Sequence, residues 1–354
     1  MNLVTRFTET LGLSTPIAQA GMAFVGGTPD LAVAVSNAGA LGSLGVGLMP
    51  DPVLTKTIDA IRSGTDRPFN VNFITPFTRP EQIELVGDAR VAVVSFHWGH
   101  PPRTWIDRLH TTGVRVFEQV GSVDAAKRAV DDGVDVVVAQ GCEAGGHNFA
   151  TLPTFALLPV VVDAVAPALV LASGGVADGR GLAAALMLGA DGAWVGTRFV
   201  ATVESAAHDG YRDRLVGAAG TDTVRTGIFG PDMPSFNPMR VLRNRVVREW
   251  ADRAAEVPVD TSAEPVIGHM DLMGQQVEMR RFSNLVPMRG LTTGDLEEMA
   301  LLAGQGVGLV DDMDSSVRGT RGARLAFSGT ARRGTRASAP RTLPRQGDGT
   351  SRRG

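Results

Sequence analysis

Through its first two hundred residues the chain repeats one pattern eight times. A short apolar run ends in a small or polar residue such as Gly, Asn, Ser or Gln, and an Ala-rich amphipathic stretch follows. The runs are Ile17–Gly21, Ala40–Leu44, Phe69–Ile74, Val91–Phe96, Val114–Val120, Asp135–Gln140, Ala168–Ser173 and Gly192–Gly196. Their apolar character is continuous, not alternating, as expected of strands covered on both faces. The stretches between them, for example Ser122–Asp132 and Gly179–Leu188, read as helices. Strand–helix alternation gives a parallel sheet, and eight units give a closed (β/α)₈ barrel of the TIM type. An open doubly wound sheet needs fewer strands and usually a first-turn Gly fingerprint. Gly39, Gly42, Gly45 and Gly47 do not supply one, because their spacing departs from G-x-G-x-x-G.

After Phe199 the pattern changes. Residues 205–256 read as helical, with Asn237–Trp250 the clearest stretch, and 284–303 reads as a helix that returns to close the barrel. The expected organisation is a barrel from residues 1–204 and about 290–310, and a mostly helical cap over 205–289. An Arg-rich tail over 311–354 is expected to be disordered, since its composition cannot bury a core.

Charge and cysteine content narrow the function. The net charge is −3, but residues 315–354 hold ten Arg and one Asp, so they carry +9 and the rest carries −12. A body this acidic is a poor nucleic-acid binder. The single Cys142 excludes a disulfide framework and any multi-thiolate metal site. No apolar run reaches the ~18 residues of a membrane span, and Met1 to Pro16 lacks the apolar core of a secretory signal. The expectation is a cytoplasmic protein that takes a small-molecule substrate and needs neither nucleic acid nor membrane.

In such a barrel the site lies at the C-terminal ends of the strands. Ser173-Gly174-Gly175 through Arg180 follows the seventh run, and Gly196-Thr197-Arg198 follows the eighth. Loops at these two places are the usual phosphate site of this fold, where paired glycines let backbone N–H groups approach an anion. The sixth run leads into Gln140-Gly141-Cys142-Glu143-Ala144-Gly145-Gly146-His147. His147 follows small residues that leave room for a flat ligand, and an imidazole titrates where it can accept a proton from a carbon acid. His97 and His100 form an H-x-x-H pair after the fourth run. With no third ligand nearby they read as residues lining a substrate pocket, not as metal ligands.

Together these segments resemble the nitronate monooxygenase (2-nitropropane dioxygenase-like) family of FMN-dependent TIM barrels, which includes the FabK-type enoyl-ACP reductases. Pro16–Met22, Ser36–Gly42, Asn70–Phe73, Val94–Phe96, Glu143–His147, Ser173–Gly181, Gly189–Gly192, Gly196–Phe199 and Ala303–Gly306 carry the resemblance in order. It implies an FMN whose phosphate rests on Gly174, Gly175, Gly196 and Thr197, beside Ser173. It further implies that Gly21, Met22, Asn72, Gln119, Gln140, Ala144 and Gly145 lie along the flavin ring and ribityl chain. His147 takes the place of the family's catalytic histidine, and the implied reaction is oxidation of nitronates with O₂ to a carbonyl compound and nitrite. The alternative on the same scaffold is NAD(P)H-dependent reduction of an enoyl thioester or a quinone. Some nitronate monooxygenases line their pocket with several tyrosines, whereas this chain has one, Tyr211.

Overall fold

The structure, a computed structural model, describes residues 3–313. All eight expected strands form within them. They are β1 (Ile17–Gln19), β2 (Gly42–Gly45), β3 (Phe69–Ile74), β4 (Val93–His97), β5 (Arg115–Val120), β6 (Val136–Gln140), β8 (Leu169–Ser173) and β9 (Gly192–Val195), while β7 (Gly146–His147) lies outside their sheet. The sheet is parallel and runs β2-β3-β4-β5-β6-β8-β9-β1. It nearly closes into a barrel. At the seam Ala18 bridges Leu41, with the Gln19 N–H donating to the Leu41 carbonyl at 2.8 Å.

Local chemistry starts the helices where the sequence marks them. Ser122 caps Val123–Asp131 by accepting from the Ala125 N–H, and Asp178 caps Gly179–Met187 by accepting from Arg180 and Gly181. The helix Arg6–Leu11 covers the N-terminal end of the barrel. Arg6 makes two 2.8 Å bonds to the Asp191 carboxylate just before β9, and the fully buried Phe7 packs against Phe117 and into one core cluster with Trp194.

The segment after β9 corrects the mostly helical expectation. It holds helices Asp209–Val216 and Arg245–Trp250, but also β10 (Thr223–Thr226), β11 (Met239–Leu242), β12 (Val266–Leu272), β13 (Gln275–Arg280) and β14 (Thr292–Gly294). Only the last part of the Asn237–Trp250 stretch is helical. Asn244 caps that helix by accepting from the Val247 N–H, while Met239–Leu242 pairs on both edges in the sheet β10-β11-β7. The second sheet is β13-β12-β14. Met273 and Gly274 turn its hairpin with positive φ at both positions, as a two-residue loop requires.

The expected helix over 284–303 is also absent. Apart from β14, this stretch is irregular and is held by strand-like bridges. The Leu301 carbonyl accepts from the Leu242 N–H at 2.8 Å, and the Ala303 N–H donates to the Arg240 carbonyl at 3.2 Å. Val310 ends the last turn, and Arg198 holds Asp312 by an ion pair at 2.5 Å. The remainder of the expected tail lies outside the described residues. Among the described residues no helix is long and apolar enough to cross a membrane.

Candidate active site

A cavity of about 350 Å³ opens at the C-terminal ends of the barrel strands. It gathers residues that are up to 286 positions apart in the chain, from Ala20 to Gly306. Gly21 and Met22 follow β1, Asn72 stands on β3, His97 ends β4, Gln119 stands on β5 and Gln140 ends β6. Ala144, Gly145 and His147 come from the loop after β6. Ser173, Gly174 and Gly175 come from the end of β8, and Gly196 and Thr197 from the end of β9.

Below the cavity a buried polar ladder fixes Asn72. The Gln19 amide donates to the Ser43 carbonyl at 2.8 Å, and the Ser43 hydroxyl accepts from Asn70 Nδ2 at 3.0 Å. Asn70 and Asn72 both donate to the Ser95 hydroxyl, at 2.8 and 2.9 Å. These bonds satisfy polar atoms that would otherwise be costly inside a barrel, and they hold the Asn72 amide in one orientation. Gly21 lies directly against this side chain, where a Cβ would come within 2.0 Å of Asn72 Cγ.

The loops after β8 and β9 form a backbone cradle. Gly174 and Gly175 have φ of +101° and +73°, a region that other residues enter only with strain. Among the described residues, the N–H groups of Gly174, Gly175, Gly196 and Thr197 have no hydrogen-bond acceptor. Such a set suits an anionic group. The Thr197 hydroxyl accepts from the Gly304 N–H at 2.9 Å, and the Gln305 N–H donates to the Glu143 carbonyl at 2.9 Å. The returning segment 303–306 thereby closes one side of the cradle. Glu143 is structural. Its carboxylate accepts from the Thr154 N–H and hydroxyl at the start of the helix Thr154–Val165.

His147 stands on β7, which pairs with β11 in the register Met239↔His147. Its ring lies edge-on to Trp98 and Phe236, with centroids 5.0 and 4.9 Å away. Nδ1 bonds the Phe236 carbonyl. A carbonyl only accepts, so Nδ1 carries the proton and the neutral ring keeps a lone pair on Nε2. Burial pushes the imidazole below the usual histidine range, against a smaller upward effect of that carbonyl. Burial, the larger effect, favours the neutral ring, with an acceptor lone pair on Nε2.

His97 also lines the cavity, and its Nδ1 lies 2.8 Å from Gln119 Nε2. Burial first, and the nearby His147 second, push it down to about 3. His100 corrects its assignment to the substrate pocket. It does not line the cavity; its ring bridges Glu118 at 2.7 Å and Asp132 at 2.8 Å. The turn at Trp98, a buried residue with φ of +66°, sends the two histidines to different partners.

Part of the remaining wall comes from outside the barrel repeat, and that part was not legible as site. Phe77 stacks on Phe236 at 4.9 Å between centroids, and Phe236, Asn284 and Leu302 reach in from the segment after β9. Tyr211, fully buried, also lines the cavity and donates to the Leu302 carbonyl. Only Ala303–Gly306 carried a signal, as part of the family resemblance.

The comparisons with known proteins agree with this fold. The family model described as nitronate monooxygenase matches residues 5–82 and 76–318. A protein of Staphylococcus saprophyticus named probable nitronate monooxygenase is 32% identical over 304 residues, covering 73% of this chain and 84% of that protein. A relative from Mycobacterium tuberculosis is 34% identical over 341 residues, covering 89% of this chain and 93% of its own length. It is named (3aS,4S,5R,7aS)-5-hydroxy-7a-methyl-1-oxo-octahydro-1H-indene-4-carboxyl-CoA dehydrogenase. The solved structure of FabK from Thermotoga maritima superposes with a TM-score of 0.76 at 34% identity, covering 94% of this chain and 98% of that one. With its barrel, its glycine cradle and its half-buried histidine, the chain belongs to the nitronate monooxygenase family and is a flavin-dependent oxidoreductase.

Proposed function

We propose that this protein binds FMN and oxidises alkyl nitronates, and nitroalkanes through their nitronates, with O₂ to a carbonyl compound and nitrite. The observation that carries this reading is the fixed tautomer of His147, a neutral imidazole with its Nδ1 proton bound to the Phe236 carbonyl inside the cavity. The family match and the Staphylococcus saprophyticus relative support it.

The residues present fit FMN. The N–H groups of Gly174, Gly175, Gly196 and Thr197 suit its phosphate. The small walls at Gly21, Ala144 and Gly145 suit a flat ring, with Met22, Asn72, Gln119 and Gln140 along it. A Cβ on Gly145 would come within 2.5 Å of the Gly304 amide nitrogen, so that wall cannot thicken. When bound, the flavin supplies the redox chemistry.

The chain's own part is binding, orientation and proton transfer. A nitroalkane entering the cavity loses its α-proton to His147 Nε2, and the C–H electron pair moves into the C=N bond of the nitronate. A preformed nitronate needs no such step. The rings of Trp98 and Phe236 pack edge-on against this base and shield one side of it.

A second reading, reduction of an enoyl thioester with NAD(P)H, is favoured by the likeness to FabK and by the CoA-ester relative. An anaerobic spectrum separates the two. Flavin absorbance bleached by propyl-2-nitronate and not by NADH or NADPH supports the nitronate reading. Fast bleaching by the nicotinamide moves the assignment to a reductase. Identifying the flavin released by heat tests FMN.

A further inference from the structure

We infer that His97 is a second catalytic residue, the hydrogen-bond donor that works opposite His147 on an oxygen of the group attached to the reacting carbon. This inference deepens the nitronate reading, on which its choice of substrate rests. It stands on the partners of the two rings. Gln119 Nε2 lies 2.8 Å from His97 Nδ1, and an amide NH₂ only donates. Nδ1 therefore accepts, and the proton of the neutral ring sits on Nε2. His147 has the opposite arrangement, because the Phe236 carbonyl takes its Nδ1 proton. Among the described residues neither Nε2 has a partner, and both rings line the same cavity. Trp98 packs edge-on to each, with ring centroids 5.6 Å from His97 and 5.0 Å from His147.

The cavity thus offers one N–H donor and one lone pair from chemically identical side chains. Burial, with the neighbouring His147, keeps His97 neutral, so the pair does not exchange roles by taking up a second proton near neutrality. The substrate class that matches is a carbon acid whose α-hydrogen sits beside an acceptor oxygen, as in a nitroalkane. The Cα–H bond breaks, and its proton goes to His147 Nε2. The electron pair forms the C=N bond, and the negative charge that gathers on the nitro oxygens is met by the His97 Nε2–H, which stays on His97. A donor aimed at developing charge in a dry site contributes most in the transition state.

The test has two arms. In the first, the holoenzyme is labelled with ¹⁵N-histidine, and long-range ¹H–¹⁵N spectra assign the tautomers, with His97→Gln and His147→Ala identifying the signals. The expected result is a protonated Nε2 on His97 and a protonated Nδ1 on His147. A proton on His97 Nδ1 overturns the inference even where nitronate turnover stands. In the second, His97→Leu is expected to lower kcat/KM for nitroethane about 10²–10³-fold, and His97→Gln, which keeps a donor, to recover at least about tenfold of that loss. Equal losses in the two variants overturn the donor role. If the wild-type enzyme turns over neither nitroethane nor ethyl nitronate, the nitronate reading fails. The spectrum still decides the tautomers, and the same Leu and Gln pair is then compared on a crotonyl thioester with NADH.

Discussion

Glu143 and Thr154 close a loop of the active site upon itself: the Thr154 N–H lies 3.0 and 2.8 Å from the two carboxylate oxygens of Glu143, and its hydroxyl lies 3.0 Å from one of them. The same hydroxyl lies 3.1 and 3.0 Å from the carbonyls of Ser173 and Gly174. One threonine thus ties the loop that carries His147 to the cradle after β8. Glu143→Gln keeps one acceptor and turns an N–H₂ toward donors. It is expected to destabilise the fold by about 1–2 kcal/mol and to weaken flavin retention, while the pH at which activity falls stays where it is. Thermal unfolding with and without added FMN, together with a pH–rate profile, checks this.

The cradle glycines differ in what they tolerate. A Cβ at Gly174 meets Thr154 Oγ1 at 2.9 Å and a backbone already at φ +101°, whereas at Gly175 the nearest atom is 3.7 Å away. Gly175→Ala is expected to cost about 1–2 kcal/mol of backbone strain and to keep most of its flavin. Gly174→Ala is expected to purify with much less. The ratio of flavin to protein absorbance in the two variants decides the order.

Removing the base should act on one substrate form. His147→Ala is expected to lower kcat/KM for nitroethane by about 10²–10⁴-fold, and for ethyl nitronate far less. Equal loss on both would exclude proton abstraction as its role. In the wild-type enzyme the acid limb for nitroethane is expected below the ordinary histidine value of about 6.5, because burial lowers the His147 pKa and the base is lost only when the pH falls through that lowered value.

His97 makes stability depend on pH in a defined window. The unfolded chain protonates this ring below about 6.5, whereas the folded protein holds it neutral down to about 3. Between those values the unfolded state binds more protons, so stability is fully present above the window and is lost as the pH falls through it. Urea denaturation at pH 7.5 and 4.5 should show a smaller difference in His97→Gln than in the wild type.

His100 should affect the fold and not the choice of substrate. It partners Glu118, which is 2% exposed, and His100→Leu leaves that carboxyl without its ring. The expected cost is about 1–3 kcal/mol of stability, with the ratio of kcat/KM values for nitroethane and ethyl nitronate unchanged. A changed ratio in a variant of wild-type stability would return His100 to the substrate pocket.

The sequence by itself determined the barrel. Parallel strands covered on both faces leave continuous apolar runs such as Val136–Gln140 and Leu169–Ser173, and side-chain caps such as Ser122 and Asp178 mark helix starts locally. It also determined the strand-end residues of the cavity, because in this fold position along a strand fixes the end at which a side chain appears. Tertiary structure decided the rest. Met239–Leu242 is a strand only because β7 and β10 offer it edges, and nothing within its four residues distinguishes it from a helical turn. The Phe236 carbonyl that sets the His147 tautomer comes from 89 residues away. The Gly304 N–H on Thr197 comes from 107 residues away. The same holds for His97 and His100, which stand three residues apart and are sorted into cavity and ion pair by Gln119, Glu118 and Asp132. Local periodicity records which face of an element is buried. It does not record which distant group will meet that face, and the proton on a histidine is set by that distant group.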